Sequence, residues 1–187
     1  GAIPGISDVG GDWVILGLAR GNRLSSSFRK GYYENVVKTL RATGSEKLHR
    51  SKSTENSRVI LALTSLGYDA SDIAGYNLLA PLADFSYVKK QGLNGSIWAL
   101  IAFDSAEYTI PKVTGGTEGA QQTTREALLQ EILSCQLSSG GWSMDGETVD
   151  VDITAMALQA LSSYYGKQES VTAAVDKALK LLSLLQN

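Results

Sequence analysis

Four segments of the chain are apolar at nearly every position, with no polar side for a solvent-facing helix. They span residues 13–19, 59–66, 97–103 and 153–161. A helix that is apolar all round is normally buried on every side. The pattern therefore predicts four inner helices that are covered by the rest of the protein.

A second kind of segment, with one apolar stripe, lies between and after these four. The clearest example covers 170–187, where apolar residues follow helical spacing and lysines face away. Residues 123–136 and 32–44 have similar stripes, and the second of these ends at Gly44, as helices often do. No segment shows the sustained apolar and polar alternation of a half-exposed strand. The sequence therefore predicts an all-α fold in which inner and outer helices alternate.

The inner segments also repeat along the chain. Each contains a small residue followed by leucine, at Gly17-Leu18, Ala62-Leu63, Ala99-Leu100 and Ala157-Leu158. Self-similarity at roughly 40 residues predicts stacked helix pairs, each burying its apolar face against the next. Four pairs, or about eight helices, account for one domain over residues 1–187. With apolar helices inside and striped helices outside, the stack curves into an α/α toroid, and an open superhelix is the alternative.

Composition narrows the set of partners. The chain has 187 residues, of which 43% are hydrophobic and 19% charged, and a formal net charge of -2. This balance lacks the basic field that nucleic acid binding needs, and no apolar run approaches the roughly 20 residues of a membrane span. One cysteine and one histidine cannot supply the usual zinc site. We expect no nucleic acid partner, no membrane insertion, no metal and no cofactor.

Several motifs resemble a known superfamily. The stretch "QLSSGGWSMDG" is similar to the Gln/Trp-type repeat of prenyltransferases and squalene cyclases, and "DVDITAMALQAL" is similar to a helix that follows it. The stretches "TENSRVILALTSLGYDASDIAGYNLLAPLADF" and "QGLNGSIWALIAFDS" resemble the secreted bacterial prenyltransferase-like repeat proteins, relatives of the α-barrel of transcobalamin and intrinsic factor. The resemblance implies an incomplete α/α toroid within a larger bacterial protein, placed outside the cell or at its surface.

The resemblance does not extend to the catalytic residues of these enzymes. Cyclases protonate an alkene with an Asp-x-Asp-Asp motif, in which Asp152 would be the acid, but Ile153 stands where the last Asp belongs. Protein prenyltransferases bind zinc through a cysteine, and Met156 occupies that position. We therefore name no catalytic residue and expect a binding module.

The candidate ligand-binding residues lie near the N-terminal ends of the inner helices and in the turn before the last one. They are Asp12, Trp13, Glu55, Arg58, Asn94, Trp98, Trp142, Asp150, Asp152 and Thr154. Equivalent positions of a curved stack share one rim, so these side chains predict a polar, net acidic rim bearing aromatic rings. Such a rim suits a polar or partly cationic ligand with a flat face.

Plainer roles exist for the same residues. Asp150 stands where an N-cap belongs, and Asp152 falls in the first helical turn, where the helix dipole favours a carboxylate. Between these roles we expect inter-repeat support to dominate, with Asp152 facing Arg58 or the amides of the neighbouring inner helix. The function predicted is a non-catalytic module that binds a small molecule, or a protein or cell-wall segment, on its concave face. The alternatives are an interaction scaffold and a terpene-cyclase-like enzyme.

Overall fold

The computed structural model describes residues 3, 5, 6, 9–114 and 119–186. Within them the chain forms eight α-helices, of which α4 is a single turn: α1 (Val9–Arg20), α2 (Ser26–Thr43), α3 (Ser53–Ser65), α4 (Phe85–Val88), α5 (Gly92–Asp104), α6 (Arg125–Ser134), α7 (Val151–Leu161) and α8 (Glu169–Leu185). Over these ranges β-structure is limited to isolated bridges, so the predicted all-α class is confirmed. None of the described helices is long and apolar enough to cross a membrane.

The four apolar segments form one row of helices. α1 packs against α3, α3 against α5, and α5 against α7. The middle two helices are buried over most of their length, with Leu63 and Leu100 fully covered. Complete burial of a leucine side chain contributes roughly 1.5–3 kcal/mol. The row of inner helices is therefore the hydrophobic centre of the protein.

The two ends of the row are more exposed than the sequence pattern predicts. In α1, Val14 is 49% exposed and Leu18 is 37% exposed. In α7, Ala155 and Gln159 are exposed. The prediction of burial on every side is wrong for these two helices, because each packs along its length against one inner helix and not between two. Periodicity reports that a helix has no polar face but not whether a neighbour covers it.

Three amphipathic helices cover the row from outside. α2, α6 and α8 each bury a single stripe, and α6 and α8 also contact each other. Two of them begin with a side-chain cap: the Ser25 hydroxyl accepts from the Phe28 amide at the start of α2, and the Thr124 hydroxyl accepts from the Ala127 amide at the start of α6. Gly44 ends α2 with a left-handed φ of 62°, which glycine adopts without strain. The striped segments thus form helices as predicted.

The second outer helix is missing from its predicted place. Between α3 and α5 the chain forms a 3₁₀ turn at Ala80–Ala83, the single turn α4 and another 3₁₀ turn at Lys89–Gln91. Positive φ values of 86° at Gly67 and 88° at Gly75 turn the chain sharply just after α3. Four regular pairs were expected, and one pair has an irregular outer half because these turns prevent a continuous helix.

Candidate functional site

A cavity of about 510 Å³ lies mostly against the C-terminal halves of the inner helices. All four of α1, α3, α5 and α7 contribute side chains to its lining. These include Trp13, Arg20, Thr64, Trp98, Asp104 and Gln159. The volume falls within the roughly 300–1,000 Å³ of small-molecule sites. The row of inner helices therefore presents an open, ligand-sized concavity on one face.

Two tryptophans meet in the wall of this cavity. The ring centroids of Trp13 and Trp98 are 4.9 Å apart, with the ring planes tilted by 56°. Trp13 belongs to α1 and Trp98 to α5, and both of these helices pack against α3, so the rings meet across the intervening helix. Both side chains are only half-buried. Their exposed surfaces provide flat apolar area for a ligand, and tilted aromatic pairs at this spacing are mutually attractive.

Most hydroxyl groups of the lining already have partners. Ser65, Ser105 and Ser162 each donate to the carbonyl three residues earlier, at 2.7–2.8 Å. The Thr64 hydroxyl bonds to the Tyr108 hydroxyl at 2.8 Å. These groups therefore stabilise the ends of the inner helices, and the three serine hydroxyls direct their hydrogen atoms away from a ligand.

Other polar groups of the lining have no partner inside the protein. Among the described lining residues, the side chains of Arg20, Gln159 and Ser163 make no internal hydrogen bond or ion pair. Arg20 supplies a guanidinium group, Gln159 an amide and Ser163 a hydroxyl. Together with the indole N–H groups of Trp13 and Trp98, which also have no acceptor among the described residues, these three side chains have free hydrogen-bonding capacity toward a ligand.

Asp104 is the carboxylate of the lining, and both of its oxygens are engaged. Oδ1 accepts from Arg125 Nε at 2.7 Å, and Oδ2 accepts from the Tyr164 hydroxyl at 2.9 Å. Burial, and next the hydrogen bond to Asp104, raise the pKa of Tyr164 above its ordinary value. The phenol therefore keeps its proton and continues to donate to Asp104. This carboxylate links α5 to α6 and to the end of α7, and it is not available as a free base.

Three of the predicted rim residues form a buried ion cluster instead. Arg58 Nε lies 3.3 Å from Asp12 Oδ2, and Arg58 Nη2 lies 2.6 Å from Glu55 Oε2. The Tyr32 hydroxyl donates to Asp12 Oδ1 at 2.8 Å. The Asp12 side chain is fully buried, and this burial raises the pKa of its carboxyl group, while the bonds from Tyr32 and Arg58 lower it. These charges join α1, α2 and α3, and they do not line the cavity.

Two further predicted residues, Trp142 and Thr154, belong to the core. Trp142 is fully buried, and its Nε1 donates to the Ile132 carbonyl at 2.7 Å. The Thr154 hydroxyl accepts from the Trp142 amide at 2.9 Å and donates to the Trp142 carbonyl at 3.2 Å. A Cβ atom on Gly141 would lie 2.9 Å from this hydroxyl, so the turn has no room for a larger residue. These residues fix the Gly-Gly-Trp turn between α6 and α7 and are inaccessible to a ligand.

The acidic pair before α7 acts locally. Asp150 is the N-cap and accepts from the amides of Asp152 and Ile153 at 2.8 and 3.0 Å. Asp152 is exposed in the first turn, and among the described residues it makes no ion pair. Arg58, which we expected Asp152 to face, pairs with Asp12 and Glu55 instead. The expectation of inter-repeat support by Asp152 is therefore wrong, because the side chain points to solvent.

The structure thus places only two of the predicted rim residues at the cavity. Trp13 and Trp98 line the cavity, whereas Asn94 is half-buried in the first turn of α5, one turn before Trp98. Sequence reasoning missed Arg20 and Gln159 because it followed the N-terminal ends of the inner helices. The available signal was a polar residue at the C-terminal end of two apolar segments, since Arg20 directly follows the first segment and Gln159 interrupts the last one.

Comparisons with known proteins identify no relative. No protein-family model, curated protein or solved structure matches the chain.

Proposed function

We propose that this chain is a non-catalytic module that binds a small molecule in the cavity of its inner helices. In this proposal the helix pairs form an incomplete α/α toroid within a secreted or cell-surface bacterial protein. The placement and the toroid rest on the sequence resemblance. The binding role rests on one observation: an open cavity of about 510 Å³ that receives side chains from four helices and is walled by Trp13 and Trp98.

The chemistry of the lining supports binding over catalysis. Arg20 and Asp104 are its charged side chains within the described residues. Arginine keeps its proton at any ordinary pH, and the Asp104 carboxylate is held by Arg125 and Tyr164. Neither group is poised to exchange a proton with a ligand. Flat aromatic surface with a few polar groups is typical of a site that orients a ligand.

The cyclase-like alternative has little support. Its acid would be Asp152, which is exposed at the start of α7. Protonating an alkene requires a carboxylic acid in a dry, enclosed cavity, because water would capture the resulting carbocation. The side chain in the acid position is therefore in the wrong environment for that reaction.

Larger clefts exist, but most of their lining residues belong to loops. A cleft of about 730 Å³ lies over the connection between α5 and α6, and one of about 810 Å³ lies beside the turn between α6 and α7. Each is more open than the inner cavity and lacks a tryptophan wall. The inner cavity is the better candidate because rigid helices define its shape.

A thermal-shift screen with tetrapyrroles, glycans and cell-wall fragments tests the proposal. A ligand at about 100 times its Kd stabilises a protein by about 2.7 kcal/mol, which is readily detected. The blocking variant is Ser163→Trp, which places an indole ring in the cavity from an exposed position of its lining. The matched control is Ser183→Trp, at an exposed position of α8.

We expect a hit to stabilise the wild type and the Ser183→Trp variant but not the Ser163→Trp variant. Equal stabilisation of both variants would place the ligand elsewhere. A screen without hits in any of the three ligand classes would count against a small-molecule role.

An interaction scaffold is the second candidate, and one observation favours it. α1 exposes Val14 and Leu18, at positions whose equivalents Val59 and Leu63 in α3 are fully buried. A second copy of the chain packing there would cover this surface. Sedimentation over a range of concentrations checks it: association that Leu18→Lys abolishes would support the scaffold, and a monomer at every concentration would exclude self-association.

A further inference from the structure

The charge of the inner cavity differs from that of the predicted rim. The acidic residues Asp12 and Glu55 pair with Arg58 inside the protein and are absent from the cavity lining. The Asp104 carboxylate is balanced by Arg125, with N and O atoms 2.7 Å apart. Among the described lining residues, the Arg20 guanidinium is therefore the one full charge that no opposite charge balances. The cavity is therefore electropositive on one side.

The C-terminal ends of the inner helices carry partial negative charge, which opposes the positive charge of Arg20. Most of the lining belongs to the C-terminal halves of four helices, where the helix dipole places partial negative charge. Most of that charge resides on the last free carbonyl groups, and here several accept hydrogen bonds from within the chain. The amides of Gly21 and Arg23 cap α1, those of Gly67 and Tyr68 cap α3, and that of Tyr108 caps α5. The unpaired guanidinium is thus the stronger electrostatic feature.

We propose that the occupant of this cavity is an anion built on a flat ring. This inference rests on the proposed function and adds the chemical class of the ligand. The ring packs against the exposed faces of Trp13 and Trp98, and an acidic group on the ring accepts hydrogen bonds from Arg20. A carboxylate fits because a guanidinium fork can donate two parallel hydrogen bonds to it. The Gln159 amide, which has no internal partner, supplies a further polar contact.

Three probes of one shape test the role of charge: 2-naphthoate, 2-naphthamide and 2-naphthylmethylammonium. Their shared naphthalene ring measures binding to the tryptophan wall, and their head groups are negative, neutral and positive. Isothermal titration calorimetry with the full chain gives the three Kd values. Because Arg20 is exposed, we expect naphthoate to bind about threefold to tenfold more tightly than naphthamide, and the ammonium probe to bind most weakly.

Variants separate the contribution of Arg20 from a general charge effect. Arg20→Gln removes the charge from the cavity, and Arg23→Gln removes the charge from an exposed residue outside the lining. We expect Arg20→Gln to abolish the preference for naphthoate while the Kd for naphthamide stays the same, and Arg23→Gln to preserve the preference. Raising the ionic strength from about 0.01 M to about 1 M should reduce the preference, because the screening length falls from about 30 to 3 Å.

The outcomes distinguish this inference from the proposed function. If the three probes bind equally, or the ammonium probe binds most tightly, the anion proposal is overturned while the binding cavity stands. A preference for naphthoate that survives Arg20→Gln also overturns it. If no probe binds to the wild type, both the cavity and its charge preference are refuted.

Discussion

The buried ion cluster offers the sharpest test of how the inner helices are held together. In Arg58→Met the guanidinium is replaced by an apolar side chain of similar length. Asp12, whose side chain has 0% exposure, then keeps only the Tyr32 hydrogen bond, and Glu55, at 13% exposure, loses a partner 2.6 Å away. Breaking a buried pair from one side costs about 3–5 kcal/mol. That is a large share of the 5–15 kcal/mol by which domains are stable.

The loss of stability in Arg58→Met should depend on pH, and the pKa of Asp12 determines whether it grows or shrinks as the pH rises. Burial raises the pKa of this carboxyl group in the folded protein above its ordinary value of 3.8. The folded protein therefore binds the Asp12 proton more tightly than the unfolded chain does. The stabilisation from protonated Asp12 is complete below pH 3.8 and is lost as the pH rises through the folded pKa. Because Arg58 lowers this pKa, its removal raises the pKa further. The deficit of Arg58→Met should therefore be small in acid and larger at neutral pH.

Urea denaturation followed by circular dichroism, repeated from pH 4 to pH 8, measures this deficit. The matched control is Arg41→Met, which removes an exposed arginine in the last turn of α2 and should change stability by at most about 1 kcal/mol. Adding Asp12→Asn to Arg58→Met should recover part of the loss at neutral pH, since no unpaired Asp12 charge remains. A deficit below about 1 kcal/mol, or one that does not change with pH, would refute the argument.

Three further predictions concern single side chains, each measured by urea denaturation. Asp150→Ala should cost about 0.5–2 kcal/mol while Asp150→Asn is nearly silent, because asparagine also caps α7; equal losses would contradict the cap. Gly17→Ala should stabilise α1 by about 0.5–1 kcal/mol, since nothing lies within 4 Å of an added Cβ and the helical position disfavours glycine; destabilisation would reveal a contact there. Ser96→Ala should be neutral or stabilising by up to about 1 kcal/mol, because the buried Ser96 hydroxyl has no partner; a clear loss would mean that it has one.

The helices could be predicted because their signal is local. An amphipathic stripe such as that of α8, or an apolar run such as that of α5, reflects the environment of each residue within a few turns. The coverage of α1 and α7 depends on whether a neighbour packs on the far side. The irregular segment after α3 depends on the positive φ values of Gly67 and Gly75, which the hydrophobic pattern does not record. Neighbours and turns are properties of the whole fold, which periodicity does not record.

The site was predictable only in part, for a similar reason. The predicted rim included Trp13 and Trp98, which both line the cavity, although the repeat register placed only Trp13, five positions before the aligned leucine. The sequence did not show that Asp12 and Arg58, from different helices, neutralise each other, because pairing across helices depends on side-chain reach and burial. It also assigned Trp142 to a rim, although a large aromatic ring beside two glycines equally suits a core turn.

The most direct test of the binding cavity uses the three indole N–H groups as reporters. Trp13 and Trp98 line the cavity, whereas the Trp142 N–H donates to the Ile132 carbonyl in the core. Their ¹H–¹⁵N resonances can be assigned from Trp13→Phe and Trp98→Phe variants and followed while 2-naphthoate is added. The account predicts that the Trp13 and Trp98 resonances shift together with one Kd while that of Trp142 stays in place. Unchanged Trp13 and Trp98 resonances at saturating ligand would contradict it.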